Sequence, residues 1–247
     1  KHLKIKLSTF CDAPIGSGLG SSSTLVVAIL KAFDDLLDLK FDKYFIAELA
    51  YKIEREDCQL SGGKQDQYSA SFGGFNFIKF QKEKTIVESL NIQNFFKCEL
   101  ETSLILHFTG LSRSSSEVIS DQERYSLSKD SDALNCPHQI KEEAYRMKKF
   151  ILNNNKNGIM DSLNQSWIFK KKTSKNVSNK FIEDRIKLGF EYGANAAKVS
   201  GAGGGGFILF MTEPNKGIKL RNRLLMESSE TFFCGFNSKG VESWIMK

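Results

Sequence analysis

The chain has 247 residues, 40% apolar and 26% charged, with a formal charge of +6. That is the composition of a globular protein with room for a substantial core; it excludes a small binding module, and runs such as FILFM are far too short to span a bilayer. Lysines scattered along the chain carry the positive balance and come with no nucleic-acid-binding signature, so small anionic ligands are the expected partners, with no nucleic acid and no membrane. Cys11, Cys58, Cys98, Cys136 and Cys234 are odd in number, far apart and without a C-x-x-C pair, which argues against a disulfide framework or zinc knuckle and for a cytoplasmic protein.

Strand and helix signals alternate along the chain. LKIKLSTF (3–10) has period two and predicts a strand, and because the chain opens on this segment with no signal-peptide pattern, it reads as starting mid-fold. A glycine-rich loop follows, then a helix from about Ser22 to Leu37. YFIAELAYKIEREDC predicts a second helix from Tyr44 to Cys58, and GGFNFIKF and TSLILHF predict strands. After Gly110 the pattern turns mostly helical through SEVISDQERYSL, HQIKEEAYRMKKFIL and SNKFIEDRIKLGFEYG, broken by a lysine-rich stretch at 170–175. A polar segment at 126–132 reads as a mobile loop. AAKVSGAGGGGFILFM, a helix and two strand candidates near Phe232 and Val241 close the chain.

The stretch GSGLGSSS carries the first chemical signal. Amides at a helix start have no intrahelical partners and the helix dipole is positive there, so a loop of little side-chain bulk can wrap a polyphosphate. Gly16, Gly18 and Gly20 permit the tight turn, while Ser21, Ser22 and Ser23 put hydroxyls at the helix start, one of them within reach of Mg²⁺. A capped helix after a glycine turn is the bland alternative. The stretch is not a Walker A loop, which needs a lysine after the glycines, nor a dinucleotide fingerprint, whose acid should follow a second strand.

PIGSGLGSSS (14–23) and KVSGAGGGGFI (198–208) resemble the second and third motifs of the GHMP kinases, the family of galactokinase, homoserine kinase, mevalonate kinase and phosphomevalonate kinase. IEREDCQLSGGKQDQYSASFGGFNFIKF between them, with FTGLSRSSSEVISDQ, SWIFKKKTSKNVSN and GVESWIMK, is similar to the sugar-kinase branch, in particular to kinases of D-glycero-D-manno-heptose 7-phosphate. The resemblance covers essentially the whole chain. It implies an α+β, two-lobed fold, with an N-terminal lobe like ribosomal protein S5 domain 2 over residues 1–110 and a ferredoxin-like C-terminal lobe over 111–247. The implied reaction is transfer from ATP, with Mg²⁺, to the anomeric hydroxyl of that sugar phosphate, in the synthesis of nucleotide-activated heptose for surface polysaccharides.

Roles follow residue by residue from the resemblance. Amides from Gly18 through Leu19 and Gly20 to Ser23 cradle the ATP phosphates. Ser22 and Glu54 hold Mg²⁺, Glu56 being the competing carboxylate. Asp66 takes the proton of the attacking hydroxyl or orients it, a helix N-cap being its plainer alternative. Gly62 and Gly63 let the backbone pass close to the acceptor. Gly201, Ala202, Gly203 and Gly204 form a compact turn whose amides help position the sugar or Asp66, a tight hairpin being the plainer alternative. Arg113, with Ser112 and Ser114, is a clamp for the substrate phosphate, with Lys171 and Lys172 as weaker candidates. Trp167 reads as core. The family's first motif, an AGGGTD-like stretch, does not occur in these residues, so strand 3–10 is expected to expose an edge that further residues or a second copy of the chain would cover. Alternatives within reach of the same motifs are a kinase of a fucose- or galactose-type sugar and a truncated, inactive ATP-binding relative.

Overall fold

A computed structural model describes residues 4–14, 16–111, 115–126, 131–228 and 230–246. Nine helices and six strands are described among them. They are α1 (Ser21–Leu37), α2 (Lys43–Lys52), α3 (Gln65–Phe72), β1 (Asn76–Phe80), β2 (Thr85–Ser89), α4 (Asn94–Ser103), β3 (Leu104–Phe108), α5 (Ser115–Ser126), α6 (Ser131–Leu152), α7 (Lys156–Lys172), α8 (Lys180–Glu191), β4 (Ala194–Val199), β5 (Phe207–Thr212), α9 (Pro214–Leu225) and β6 (Thr231–Phe233). The class is α+β: helices beside two antiparallel sheets, one the hairpin β1–β2, the other four-stranded in the order β4-β5-β3-β6. None of the described helices is long and apolar enough to cross a membrane.

The four-stranded sheet is the structural centre. β5 reads FILFMT without alternation because both its faces are covered. Phe210 packs with Ile105, Trp167, Ile182, Ile186, Leu220 and Leu224 on one side, and Met211 packs with Phe96, Leu100 and Met160 on the other. Trp167 is therefore core, as its sequence context implied. β3, although it precedes residue 110, lies inside this sheet between β5 and β6. A smaller apolar cluster of Val27, Ile46 and Ala50 joins α1 to α2.

Four sequence expectations need correction. Residues 4–10 belong to no strand: alternation makes a strand only where a neighbour completes the ladder, and here Ile5, Leu7 and Phe10 are 51%, 55% and 88% exposed. Val241 is not in a strand either; its amide donates to Ala70 O at 3.0 Å, so the segment packs on the end of α3 as irregular chain. Lys170–Lys172 form the last turn of α7 rather than a break, since the basic residues complement the helix C-terminus. The predicted loop at 126–132 is partly helix: Ser126 ends α5 and Ser131 starts α6, residues 127–130 lying outside the described ones.

One buried base sits in the sheet. His107 on β3 is 1% exposed, and its Nδ1 lies 2.8 Å from Thr231 Oγ1 of β6. Burial, helped by nearby Arg185 and opposed by Glu227, pushes its pKa down to about 4. The unfolded chain therefore binds a proton that the folded chain refuses. Stability present above pH 6.5 is expected to fall as pH drops towards 4, by up to about 3 kcal/mol. Urea midpoints at pH 7 and pH 4.5 should show this loss in the natural chain and a smaller one in His107→Asn.

Candidate active site

The glycine loop enters α1 with Gly16, Gly18 and Gly20 all at positive φ. Gly20 is the N-cap, in the left-handed region, and no side chain caps the helix. The first intrahelical bond runs from Thr24 N to Gly20 O at 2.9 Å, so the amides of Ser21, Ser22 and Ser23 stay free of intrahelical partners. The helix thus opens without a side-chain cap, its positive end towards the loop.

Glu54 meets this helix from α2. A π-helical turn over Ile53–Asp57, closed by Cys58 N to Ile53 O at 2.9 Å, interrupts the regular helix here. It leaves Glu54 buried and Glu56 exposed. Ser22 Oγ donates to Glu54 Oε1 at 2.8 Å. Gln67 Nε2 donates to Glu54 Oε2 at 2.6 Å and to Ser23 Oγ at 3.1 Å. The Glu54 carboxylate thus has neutral donors only, and Gln67 Oε1, although buried, has no partner. Of the described residues, none form a cluster of three or more His, Cys, Asp or Glu side chains fit to hold a metal. A carboxylate and a hydroxyl suit Mg²⁺, which keeps several waters and takes its remaining oxygens from substrate phosphates.

Asp66 is the second residue of α3, whose N-cap is Lys64, so it does not cap the helix. Its carboxyl lies against the start of α1: a Cβ on Gly20 would stand 2.9 Å from Asp66 Cγ. Burial raises its pKa above the ordinary carboxylate range; the charge of Arg55 opposes this and that of Glu54 adds to it. Desolvation makes this carboxylate a stronger base than an exposed one.

Arg55 and Gln67 went unnoticed in the sequence. Arg55 donates to the carbonyls of Leu60, Ser61 and Gly63 at 3.4, 3.3 and 3.4 Å, pinning the 60–63 loop in front of α3. A Cβ on Gly62 would lie 2.6 Å from its guanidinium, so Gly62 makes room for Arg55, while Gly63 faces open space. A basic residue between two acids was the available signal for Arg55; Gln67 offered none.

The second glycine stretch links β4 to β5 and packs against the first. Phe207 N donates to Ser17 O at 3.0 Å, and a Cβ on Gly201 would sit 2.8 Å from Gly18 Cα. Gly204 N donates to Val177 O at 2.7 Å, Gly203 lies against the same residue, and Ala202 packs on the core. Arg113, Ser112 and Ser114 lie outside the described residues. Lys171 pairs with Glu183 at 3.2 Å and Lys172 is exposed at the end of α7. Lys170 is the member of that run whose amine reaches the glycine turn, donating to Gly201 O.

The family description GHMP kinases N terminal domain matches residues 1–74, and GHMP kinases C terminal matches 147–226. D-glycero-alpha-D-manno-heptose 7-phosphate kinase of Campylobacter jejuni is 41% identical over 245 residues, 99% of this chain and 72% of its own length. Mevalonate kinase of Pyrococcus furiosus is 29% identical over 233 residues, 87% of this chain and 62% of its own. Among solved structures, a D-glycero-D-manno-heptose 1-phosphate kinase from Bacteroides thetaiotaomicron superposes with TM-score 0.76 at 36% identity, over 96% of this chain and 66% of that one. A sugar kinase of Campylobacter jejuni superposes with TM-score 0.74 at 41% identity, over 94% and 66%. The chain thus spans about two thirds of the length of these solved relatives.

Proposed function

Because this chain belongs to the GHMP kinase family, we propose that it transfers the γ-phosphoryl group of ATP to the anomeric hydroxyl of D-glycero-D-manno-heptose 7-phosphate, giving the 1,7-bisphosphate. The observation that carries this reading is the meeting of three parts at one corner. The free amides of α1, the Ser22–Glu54 pair and the Asp66 carboxyl all meet at the first turn of α1. The 41% identity to a heptose 7-phosphate kinase supports the choice of acceptor.

Phosphoryl transfer asks a protein mainly for positioning and charge neutralisation. Amides from Gly18 to Ser23 hold the polyphosphate at the helix N-terminus, and the loop's lack of bulk lets the backbone approach. Glu54 and Ser22 would hold Mg²⁺, which when bound would neutralise charge on the nucleotide phosphates. Asp66 accepts the proton of the attacking anomeric hydroxyl, whose acidity exceeds that of an ordinary alcohol. Arg55 keeps the 60–63 loop and the start of α3 in register, so that Asp66 stays against Gly20. Five free cysteines and the need for ATP support a cytoplasmic setting.

The test is ³¹P NMR of the chain with Mg-ATP and heptose 7-phosphate. A new anomeric phosphate signal is expected, with loss of ATP in equal amount. ATP binding without that signal, under conditions where heptose 7-phosphate also binds, would overturn the proposal.

A further inference from the structure

Two lysines stand at the second glycine stretch with no carboxylate paired to either. Lys170, in the last turn of α7, donates to Gly201 O. Lys198, on β4, lies three residues before that glycine, and its charge repels the Lys170 ammonium. Both are half-buried. Desolvation pushes Lys170 down to about 7 and lowers Lys198, and no carboxylate offsets either effect. By contrast, Lys156 lies between Glu99 and Glu213 at 3.0 and 2.6 Å, and Lys171 bridges Glu183. Two desolvated like charges side by side are unfavourable unless an anion joins them.

Their position says which anion. Their anchor, Gly201, backs directly onto Gly18 of the nucleotide loop, so the pair stands at the corner where nucleotide and acceptor would meet. The nucleotide phosphates already have the amides of α1, and Arg55 is occupied by three carbonyls. We propose that Lys170 and Lys198 form the seat for the phosphomonoester that the acceptor sugar already carries. This rests on the acceptor reading above and deepens it: the pair sets the preference for a phosphorylated over an unphosphorylated sugar.

Timed acetylation of the full chain near neutral pH, read by peptide mass spectrometry, tests the seat without turnover. Lys170 and Lys198 should be protected at least about fivefold by heptose 7-phosphate and by inorganic phosphate, and not by heptose itself, as expected for charge-assisted phosphate contacts. Protection by Mg-ATP alone, or by none of these, overturns the proposal. In kinetics, Lys170→Met and Lys198→Met should each lower the ratio of kcat/KM for heptose 7-phosphate over heptose by about tenfold or more. An unchanged ratio, or a rise confined to the KM for ATP, also overturns it. If the natural chain transfers nothing to heptose 7-phosphate while inorganic phosphate still protects both lysines, the phosphate seat stands and the choice of heptose falls.

Discussion

Asparagine at position 66 is expected to lower kcat about 10²- to 10⁴-fold, with little change in the KM for ATP. The substitution keeps the size and shape of the side chain against Gly20, where a Cβ would stand 2.9 Å from Asp66 Cγ, and removes only its capacity to take a proton. Folding should not suffer. A carboxyl whose folded pKa is raised favours the folded state below its ordinary pKa, and that advantage is lost as pH rises through the raised value. At neutral pH the ionised Asp66 therefore opposes folding, and Asp66→Asn should melt no lower than the natural chain. The same shift places the acid limb of kcat/KM above the ordinary aspartate range. Replacing Arg55 by glutamine removes the charge that opposes burial, so the limb should move further towards neutrality. Rapid-quench measurement of the phosphoryl-transfer step across pH checks both points. If Asp66→Asn kept more than a tenth of kcat with an unmoved acid limb, Asp66 would not be the base.

What the sequence disclosed and what it withheld divide along physical lines. The loop into α1 was legible because glycine and serine are local punctuation: positive φ and free amides follow from residue type at each position. Asp66 was not legible in this way: two preceding glycines favoured a helix N-cap, only the resemblance singled the residue out, and the structure makes Lys64 the N-cap and sets the Asp66 carboxyl against Gly20. Glu54 against Glu56 stayed open because the π-helical turn at Ile53–Asp57 changes which face each residue presents, and nothing in IERED signals it. β2 and α4 passed unremarked: TIVES spans one short hairpin strand, and NFFKCELETS is stabilised through Phe96 and Leu100 on the sheet rather than by its own pattern. Lys170 was missed in favour of its neighbours because a run of like residues conceals helical phase. One step along α7 turns the side chain from the glycine turn towards Glu183. Residues 4–10 failed in the opposite sense, since perfect alternation is only half of a strand and the other half is a neighbour.

Alanine at Gly206 is expected to cost roughly 2–4 kcal/mol of stability and to weaken ATP binding more than tenfold, although residue 206 touches no nucleotide in this reading. Its φ is +81°, and an added Cβ would lie 2.3 Å from Ser17 O and 2.7 Å from Ser17 C. Neither partner has room to retreat. The Gly206 amide donates to Leu111 O at 2.8 Å, and its carbonyl accepts from Thr109 N and Oγ1 at 3.0 and 2.8 Å. Ser17 O is itself held by the Phe207 amide at 3.0 Å. The strain therefore passes along the backbone into Gly18, where the phosphate-binding amides begin. Gly110→Ala separates the two contributions, because Gly110 has φ +72° but open space where its Cβ would go. It should cost only the left-handed backbone term, about 1 kcal/mol, and leave ATP affinity within twofold. Urea unfolding and nucleotide titration on both variants decide the matter: equal losses would mean that contact between the two glycine stretches does not shape the nucleotide loop.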